Sequence, residues 1–279
     1  MTKKLILMTF VAAMLFTACD VKDPIYDTSH PDKAQITVTV DWNGIDPNIT
    51  KPAEYTAVLN ETKYQNIPTA KESYTFPDFA PGTYTAYLYN EVAQIPVAGN
   101  IATADYTKGT LDWLFTGRLQ ETMEADKNYR FTVPMLQQVR ELTLVIEPTG
   151  GTADRVASIT ASLSGVAGTL DIDSNAHGSP ASVALTFTKG ADGKWSATTR
   201  LLGVTGNEQK LTGTITFSDS SPDDMSLESD LSTSLAAFNE KKNEPLSLGG
   251  TVIETPTGVD FRATITGWKI INGGSVIAN

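Results

Sequence analysis

The chain has 279 residues, 41% of them hydrophobic and 19% charged, with 21 Gly and 14 Pro, a globular composition that excludes a disordered chain, a collagen and a multi-span membrane protein. Its formal net charge of −11 repels phosphate and argues against nucleic acid as a partner. Two histidines, His30 and His177, and a single cysteine, Cys19, remove disulfides, most metal sites and the usual histidine-based triads, so no cofactor is expected.

Lys3 and Lys4 precede a 14-residue apolar run, Leu5 to Ala18. As a helix the run spans about 21 Å, short of the roughly 30 Å hydrocarbon core. It predicts the apolar region of a signal peptide covering residues 1–18. Phe16-Thr17-Ala18-Cys19 resembles a bacterial lipoprotein box, with small residues flanking the cleavage point and the Cys19 thiol as the expected acyl carrier. Each buried acyl methylene contributes about 0.8 kcal/mol, so the chains of such a lipid hold essentially permanently. Asp20 to Lys33 is polar and twice broken by proline, at Pro24 and Pro31, and predicts an extended tether over residues 19–33, with His30 an exposed bystander. The acidic residues at its start resemble the surface-export signal of lipoproteins in Gram-negative anaerobes.

From residue 35 the hydrophobic period becomes two. Ile36, Val38, Val40 and Trp42 share one face and Gln35, Thr37, Thr39 and Asp41 the other, the pattern of a half-buried strand. Similar runs predict strands at Glu54 to Leu59, Ser73 to Phe76, Thr83 to Tyr89, Tyr129 to Val133, Val139 to Glu147, Ser158 to Leu163, Ala181 to Thr188, Lys194 to Leu201, Lys210 to Phe217 and Gly258 to Trp268. Turn chemistry such as Ala80-Pro81-Gly82 and Lys189-Gly-Ala-Asp-Gly193 separates them, and many short Thr-rich strands predict antiparallel β-sandwiches. The spacing of Leu231, Leu235 and Phe238 predicts one helix over Leu231 to Asn239, capped by Ser229 or Asp230 and packed across an open end of the second sandwich. The expected layout is an N-terminal sandwich over 34–136, a crossover at Pro134 to Gln138, and a C-terminal sandwich over 137–279.

Catalytic signals are weak. Asp171-Ile-Asp-Ser-Asn175 begins like a calcium loop, but Ala176 stands where glycine is needed and Ser182 where a bidentate Glu is needed, so a polar turn is the better reading. Asp223, Asp224 and Glu228 lie in a polar stretch with nothing apolar to raise a carboxyl pKa, and read as solvated charges in a loop. His177 has no partner at ligand spacing and reads as a free loop residue. No phosphate loop, nucleophile elbow or zinc helix is present, and no enzyme is expected.

The lipoprotein box and acidic tether, the strand ending Val40-Asp-Trp42, Phe79-Ala-Pro-Gly-Thr-Tyr-Thr-Ala-Tyr-Leu-Tyr-Asn90, Leu114-Phe-Thr-Gly117, Tyr129-Arg-Phe-Thr-Val133, Val139-Arg-Glu-Leu-Thr-Leu144, the Leu231 to Asn239 helix and the closing Ile265-Thr-Gly-Trp268 together resemble the FimB-type fimbrial anchor-subunit family. That family belongs to the fimbrillin, or type V pilus, superfamily of Gram-negative anaerobes. The resemblance implies an all-β fold of two tandem transthyretin-like (Ig-like) antiparallel sandwiches with one short helix in the second. It also implies a lipid anchor in the outer membrane, fimbrial stalk subunits as partners, and assembly through donated strands.

A sandwich that lacks a strand exposes an edge and an apolar groove that an extended segment of a partner can fill. In the tail, the pairs Ile270-Ile271 and Val276-Ile277 flank Gly273-Gly274. They are a candidate donor strand, and equally the last edge of the chain's own sheet. Polymerising subunits of the superfamily resemble one another in losing an early strand by cleavage at an arginine, whereas no Arg precedes Arg118 here. Ile36 to Trp42 is then expected to stay in place, so that the subunit gives a strand without accepting one. The rival expectation is a glycan-binding surface lipoprotein, with Trp113, Trp195, Trp268 and some tyrosines stacking on sugar rings, Trp113 above all.

Overall fold

The structure is a computed structural model and describes residues 32–149, 153–218, 223–257 and 260–271. The strands β1 (Ala34–Asp41), β2 (Glu54–Leu59), β3 (Thr62–Pro68), β4 (Tyr74–Phe79) and β5 (Gly82–Tyr89) are followed by the short β6 (Val97–Ala98) and β7 (Ile101–Thr103), then β8 (Phe115–Met123), β9 (Asn128–Pro134) and β10 (Leu136–Gln137). Among the described residues they build a three-stranded sheet, β4-β1-β9, facing a five-stranded one, β10-β8-β5-β2-β3. Ile36, Val38, Tyr55, Leu59, Ile67, Phe76, Leu88, Phe115 and Met123 fill the space between the two. Trp42 meets Phe115 edge-on at 5.6 Å, the geometry aromatic quadrupoles prefer.

The chain continues through β11 (Arg140–Pro148), β12 (Val156–Asp171), β13 (His177–Thr186), β14 (Thr188–Lys189), β15 (Trp195–Leu201), β16 (Lys210–Phe217), β17 (Met225–Asp230), helix α1 (Ser232–Leu235), β18 (Leu246–Thr257) and β19 (Asp260–Ile270). Hydrogen bonding runs without a break in the order β14-β15-β11-β18-β19-β17-β16-β12, and β13 lies on the far side of β12. This path surrounds a second core. Leu142, Leu144 and Ile146 of β11 contribute to it and are fully buried, as their alternation with Thr143 and Val145 predicts. The fold is therefore all-β, in sandwiches, as expected.

Several predicted strands grow longer, and the largest extension has a visible cause. The period-two run at Ser158 to Leu163 continues to Asp171 through a bulge between Ser164 and Val166, which shifts the side-chain phase and hides the strand from a simple alternation count. Gly165 takes φ +72 at this bulge, and a Cβ there would lie 2.2 Å from the Glu208 carbonyl oxygen. Four longer strands escape the sequence reading altogether. β3 faces solvent on most of its residues, β8 has no clean alternation, and β18 carries Gly249-Gly250 and Pro256. β17 does alternate, burying Met225, Leu227 and Ser229, so Glu228 lies exposed on a strand and not in the expected loop.

The predicted helix also contracts, to the single turn of α1. Ser-Thr-Ser is a poor helix former, and the residues beyond it have stronger partners elsewhere. The Asn239 side chain brackets Val204, accepting from its N–H at 2.9 Å and donating to its carbonyl at 2.9 Å. The Phe238 carbonyl is taken by Arg140 Nη1 at 2.7 Å. Leu231, Leu235 and Phe238 are nonetheless all buried in the second core, so the expected packing is present. The expected cap is not, because the helix starts one residue later with Leu231 at its N-cap, and Asp230 Oδ1 instead accepts from the Ser232 N–H at 2.8 Å in the turn before it.

Arg140 ties this corner together. It is buried, its Nε donates to the Glu244 carbonyl at 2.6 Å, and its guanidinium lies 5.0 Å from the centre of the Phe238 ring. Arg140→Ala leaves the Glu244 and Phe238 carbonyls without donors and is expected to cost ~2–4 kcal/mol of stability. Arg140→Lys recovers only part of this, because an ammonium has no planar fork. Urea unfolding of the three proteins checks both expectations.

Candidate functional site

The residues with the most specific sequence signal, Phe16, Thr17, Ala18 and Cys19, lie outside the described residues, as do Val276 and Ile277 of the tail. Ile270 closes β19 opposite Leu248, and the Ile271 N–H donates to the Ser247 carbonyl at 3.0 Å. Both isoleucine side chains face solvent, at 66% and 41% exposure. The backbone of this pair is thus engaged by the chain's own sheet while the Ile270 side chain remains largely uncovered and that of Ile271 lies over Gly249. Just before it, Trp268 packs on Gly250, where a Cβ would come within 3.1 Å of the indole, and its Nε1–H donates to Ser229 Oγ at 2.8 Å.

At the other end of the described chain, β1 occupies the middle of its sheet. It pairs antiparallel with β4 and runs parallel to β9, residue for residue from Gln35–Asn128 to Asp41–Pro134. Ala34, Ile36 and Val38 are at most 2% exposed.

Between the two sandwiches lies a third apolar cluster, in which Tyr89, Ile95, Leu111, Leu114, Val139, Leu170 and Leu202 meet. The short β7 leaves the first half of the chain to pair with Thr169–Asp171 of β12. Tyr106 Oη donates to the Ala167 carbonyl at 2.9 Å, and the Leu202 N–H donates to Tyr106 Oη at 3.2 Å. Arg118 pairs with Asp173, which also accepts from Tyr87 Oη at 2.7 Å. Asp171 Oδ1 accepts from the Asp173 N–H and from Asn100 Nδ2, both at 2.8 Å, so its oxygen is spent on a turn and a loop crossing.

Trp113, the strongest candidate for a sugar platform, belongs to this junction. The Arg200 guanidinium sits 4.6 Å from its ring centre, and Arg200 Nη1 donates to the Leu111 carbonyl at 2.9 Å. One face of the indole is therefore covered from within, while the residue as a whole is half-buried. Trp195 is buried in the second core and offers no free ring face of the kind a stacking platform needs.

Beside the junction opens a cavity of about 670 Å³ whose lining includes Asn175, His177, Thr205, Asn207, Gln209 and Asn239. A smaller cleft of about 180 Å³ adjoins it through Asn175 and Asn239 and reaches Lys242. His177 is half-buried at the start of β13 and is not the free loop residue expected; its Nε2 is buried and has no hydrogen-bond partner. The ring packs against Gly203, where a Cβ would lie 2.3 Å from it. Lys242 Nζ donates to Gln138 Oε1 at 2.6 Å and to Asn175 Oδ1 at 3.2 Å, and burial pushes its ammonium down to about 8. Burial, and then the Lys242 charge, push the His177 imidazole down to about 4 against a weaker opposing pull from the Leu202 backbone. Sequence reading missed the role of both bases, since neither stands near a motif and the cavity forms only when three distant segments converge.

The sign of the His177 effect follows from these values. The unfolded imidazole takes up its proton near pH 6.5, the folded one only near pH 4, so acid binds the unfolded chain first. The contribution is complete above about pH 6.5 and is lost progressively as pH falls toward 4. His177→Gln is expected to shrink the drop in urea midpoint between about pH 7 and about pH 5, a window above most carboxylate titration.

Against known proteins, the chain matches the family model of the fimbrillin-A associated anchor proteins Mfa1 and Mfa2 over residues 62–273. No curated protein sequence matches it. Among solved structures it is similar to the fimbrial anchor protein Mfa2 from Porphyromonas gingivalis, at 11% identity and a TM-score of 0.58 over 85% of this chain and 97% of that one. It is similar to a candidate adhesin from Bacteroides ovatus, at 15% identity and a TM-score of 0.58 over 88% and 96% of the two chains. It is also similar to a candidate polysaccharide-binding protein from Bacteroides thetaiotaomicron, at 8% identity and a TM-score of 0.59 over 86% and 98%. At these identities the structural matches speak for a shared fold, while the family match spans well over half of the sequence. The chain belongs to the family of fimbrillin-A associated anchor proteins.

Proposed function

We propose that this chain is a non-enzymatic surface lipoprotein that anchors or terminates a fimbria. In this reading residues 1–18 are removed as a signal peptide, and Cys19 carries the lipid that holds the protein in the outer membrane. Residues 19–33 are a tether, and 34–136 and 137–279 are two sandwiches, with fimbrial stalk subunits as the partners. The observation that carries the reading is the family match.

Two further features support it. β1 is seated between β4 and β9 with Ile36 and Val38 buried, and the first arginine of the sequence is Arg118, within β8. An arginine-directed protease therefore has no site from which to free β1, the groove stays filled, and the subunit accepts no strand. Donation is a property of the other end. Beyond Ile271 the sequence holds Gly273-Gly274 and the apolar pair Val276-Ile277, and apolar side chains of this kind are what an added strand seats in a partner's groove.

The test is a cut placed by the structure. Removing residues 272–279 leaves β19 and the Trp268–Ser229 hydrogen bond untouched, whereas a cut from Gly267 would strip part of a native strand. The shortened protein is expected to keep its melting temperature while cells shed fimbriae into the medium. Cys19→Ala is expected to move the protein itself from membrane to soluble fractions. Undiminished retention of fimbriae by the shortened protein overturns the donor role.

A further inference from the structure

The direction in which β1 lies bears on what happens when its N-terminal end is pulled. That end sits at a pole of the first sandwich: Lys33 accepts through its carbonyl from the Asp126 N–H at 3.0 Å, and the Gln35 N–H donates to the Lys127 carbonyl at 3.0 Å, both in the β8–β9 turn. The other end reaches the junction. The Met135 N–H donates to the Asp41 carbonyl at 2.7 Å, and the strand partner of Asp41 is Pro134, just before β10. The Gln137 side chain there donates to the Lys242 carbonyl of the second sandwich at 2.7 Å. β1 therefore runs from the outer pole toward the second sandwich, and a pull on residue 33 away from the junction acts along the strand.

Hydrogen bonds across a strand pair lie across the strand direction. Tension along β1 strains the whole ladder to β9, Gln35 through Asp41, together with the pairs to β4 at Ala34, Ile36, Thr37 and Val38. The Thr37–Thr75 hydroxyl contact at 2.9 Å and the buried Ala34, Ile36 and Val38 side chains must slide at the same time. A pull across the strand, by contrast, opens one bond after another. Forced unfolding is set by the barrier to this step and not by equilibrium stability.

We infer that β1 is a mechanical clamp, a strand held on both edges and loaded in shear by tension between the N-terminal tether and the rest of the molecule. The source of that tension rests on the anchor reading, but the clamp is a property of the isolated protein. The chain from Cys19 onward supplies its own first handle, since Cys19 is its sole thiol. Leu136→Cys places a second handle at the junction end of β9, on a side chain that is 50% exposed. Ala125→Cys places it instead in the exposed turn at the same pole as residue 33.

Single-molecule pulling at one speed is expected to need a several-fold higher force for the Cys19–Leu136→Cys pair than for the Cys19–Ala125→Cys pair. The urea midpoints of the two proteins should agree, which shows that the difference is one of direction. Equal forces overturn the clamp and leave the anchor reading intact. Retention of fimbriae without the tail overturns the donor role and leaves the measured difference in force standing.

Discussion

The first sandwich exists because β1 is in it. Without that strand, β4 and β9, already the outer strands of this sheet, have no common neighbour, and each exposes a second unpaired side, which sheet proteins avoid because it recruits foreign strands. Burial of a side chain such as Ile36 or Val38 contributes about 1.5–3 kcal/mol, and β1 supplies both to a core that the facing sheet closes from one side only. The same strand is the first element among the described residues. A membrane attachment at Cys19 would thus be linked to the fold through the element whose removal exposes its core, and the requirement to keep β1 seated and the requirement to hold the protein at the surface become one requirement.

The second constraint is that the two sandwiches are not beads on a string. β7 is borrowed from the first half of the chain by the sheet of the second, and the apolar cluster around Leu111, Leu114 and Leu202 has to be opened before either can turn relative to the other. The Arg200 guanidinium over Trp113 adds a contact of the sort that strengthens when desolvated. Exposed aromatic residues in a surface protein invite a glycan-binding interpretation. Here the indole has an internal partner, and its face is used to join two units that a pull would otherwise hinge.

Most of the fold was legible because alternation is a consequence of strand geometry. A residue such as Leu144 must be buried if Thr143 is not, and a core can be read from that spacing. What was not legible has equally physical causes. Gly165 shifts the phase within β12, so one long strand reads as a short one. Gly249 and Gly250 lack the side chains that report burial, yet Gly250 is needed for Trp268 to lie on the sheet. The helix at Leu231 announces a core stripe correctly but not its own end, because that end is decided by Arg140 and Val204, distant in sequence. β7 is too short to carry a pattern at all. The candidate site divides in the same way: a candidate acyl-carrying thiol can be proposed from a linear motif, whereas His177 and Lys242 become neighbours only once the chain is folded.

These two bases bear on the question of catalysis. A general acid–base site sets a titratable group near its working pH and places an opposite partner within reach. Here burial pushes the imidazole to about 4 and the ammonium to about 8, and the Lys242 charge makes protonation of His177 harder still. Among the described residues neither hydrogen-bonds a carboxylate: Lys242 is held by the amide oxygens of Gln138 and Asn175, and His177 Nε2 has no partner. The imidazole therefore stays neutral at neutral pH. Lys242 instead bridges Gln138, beside the end of the first sandwich, to Asn175 of the second. That is a structural use of charge.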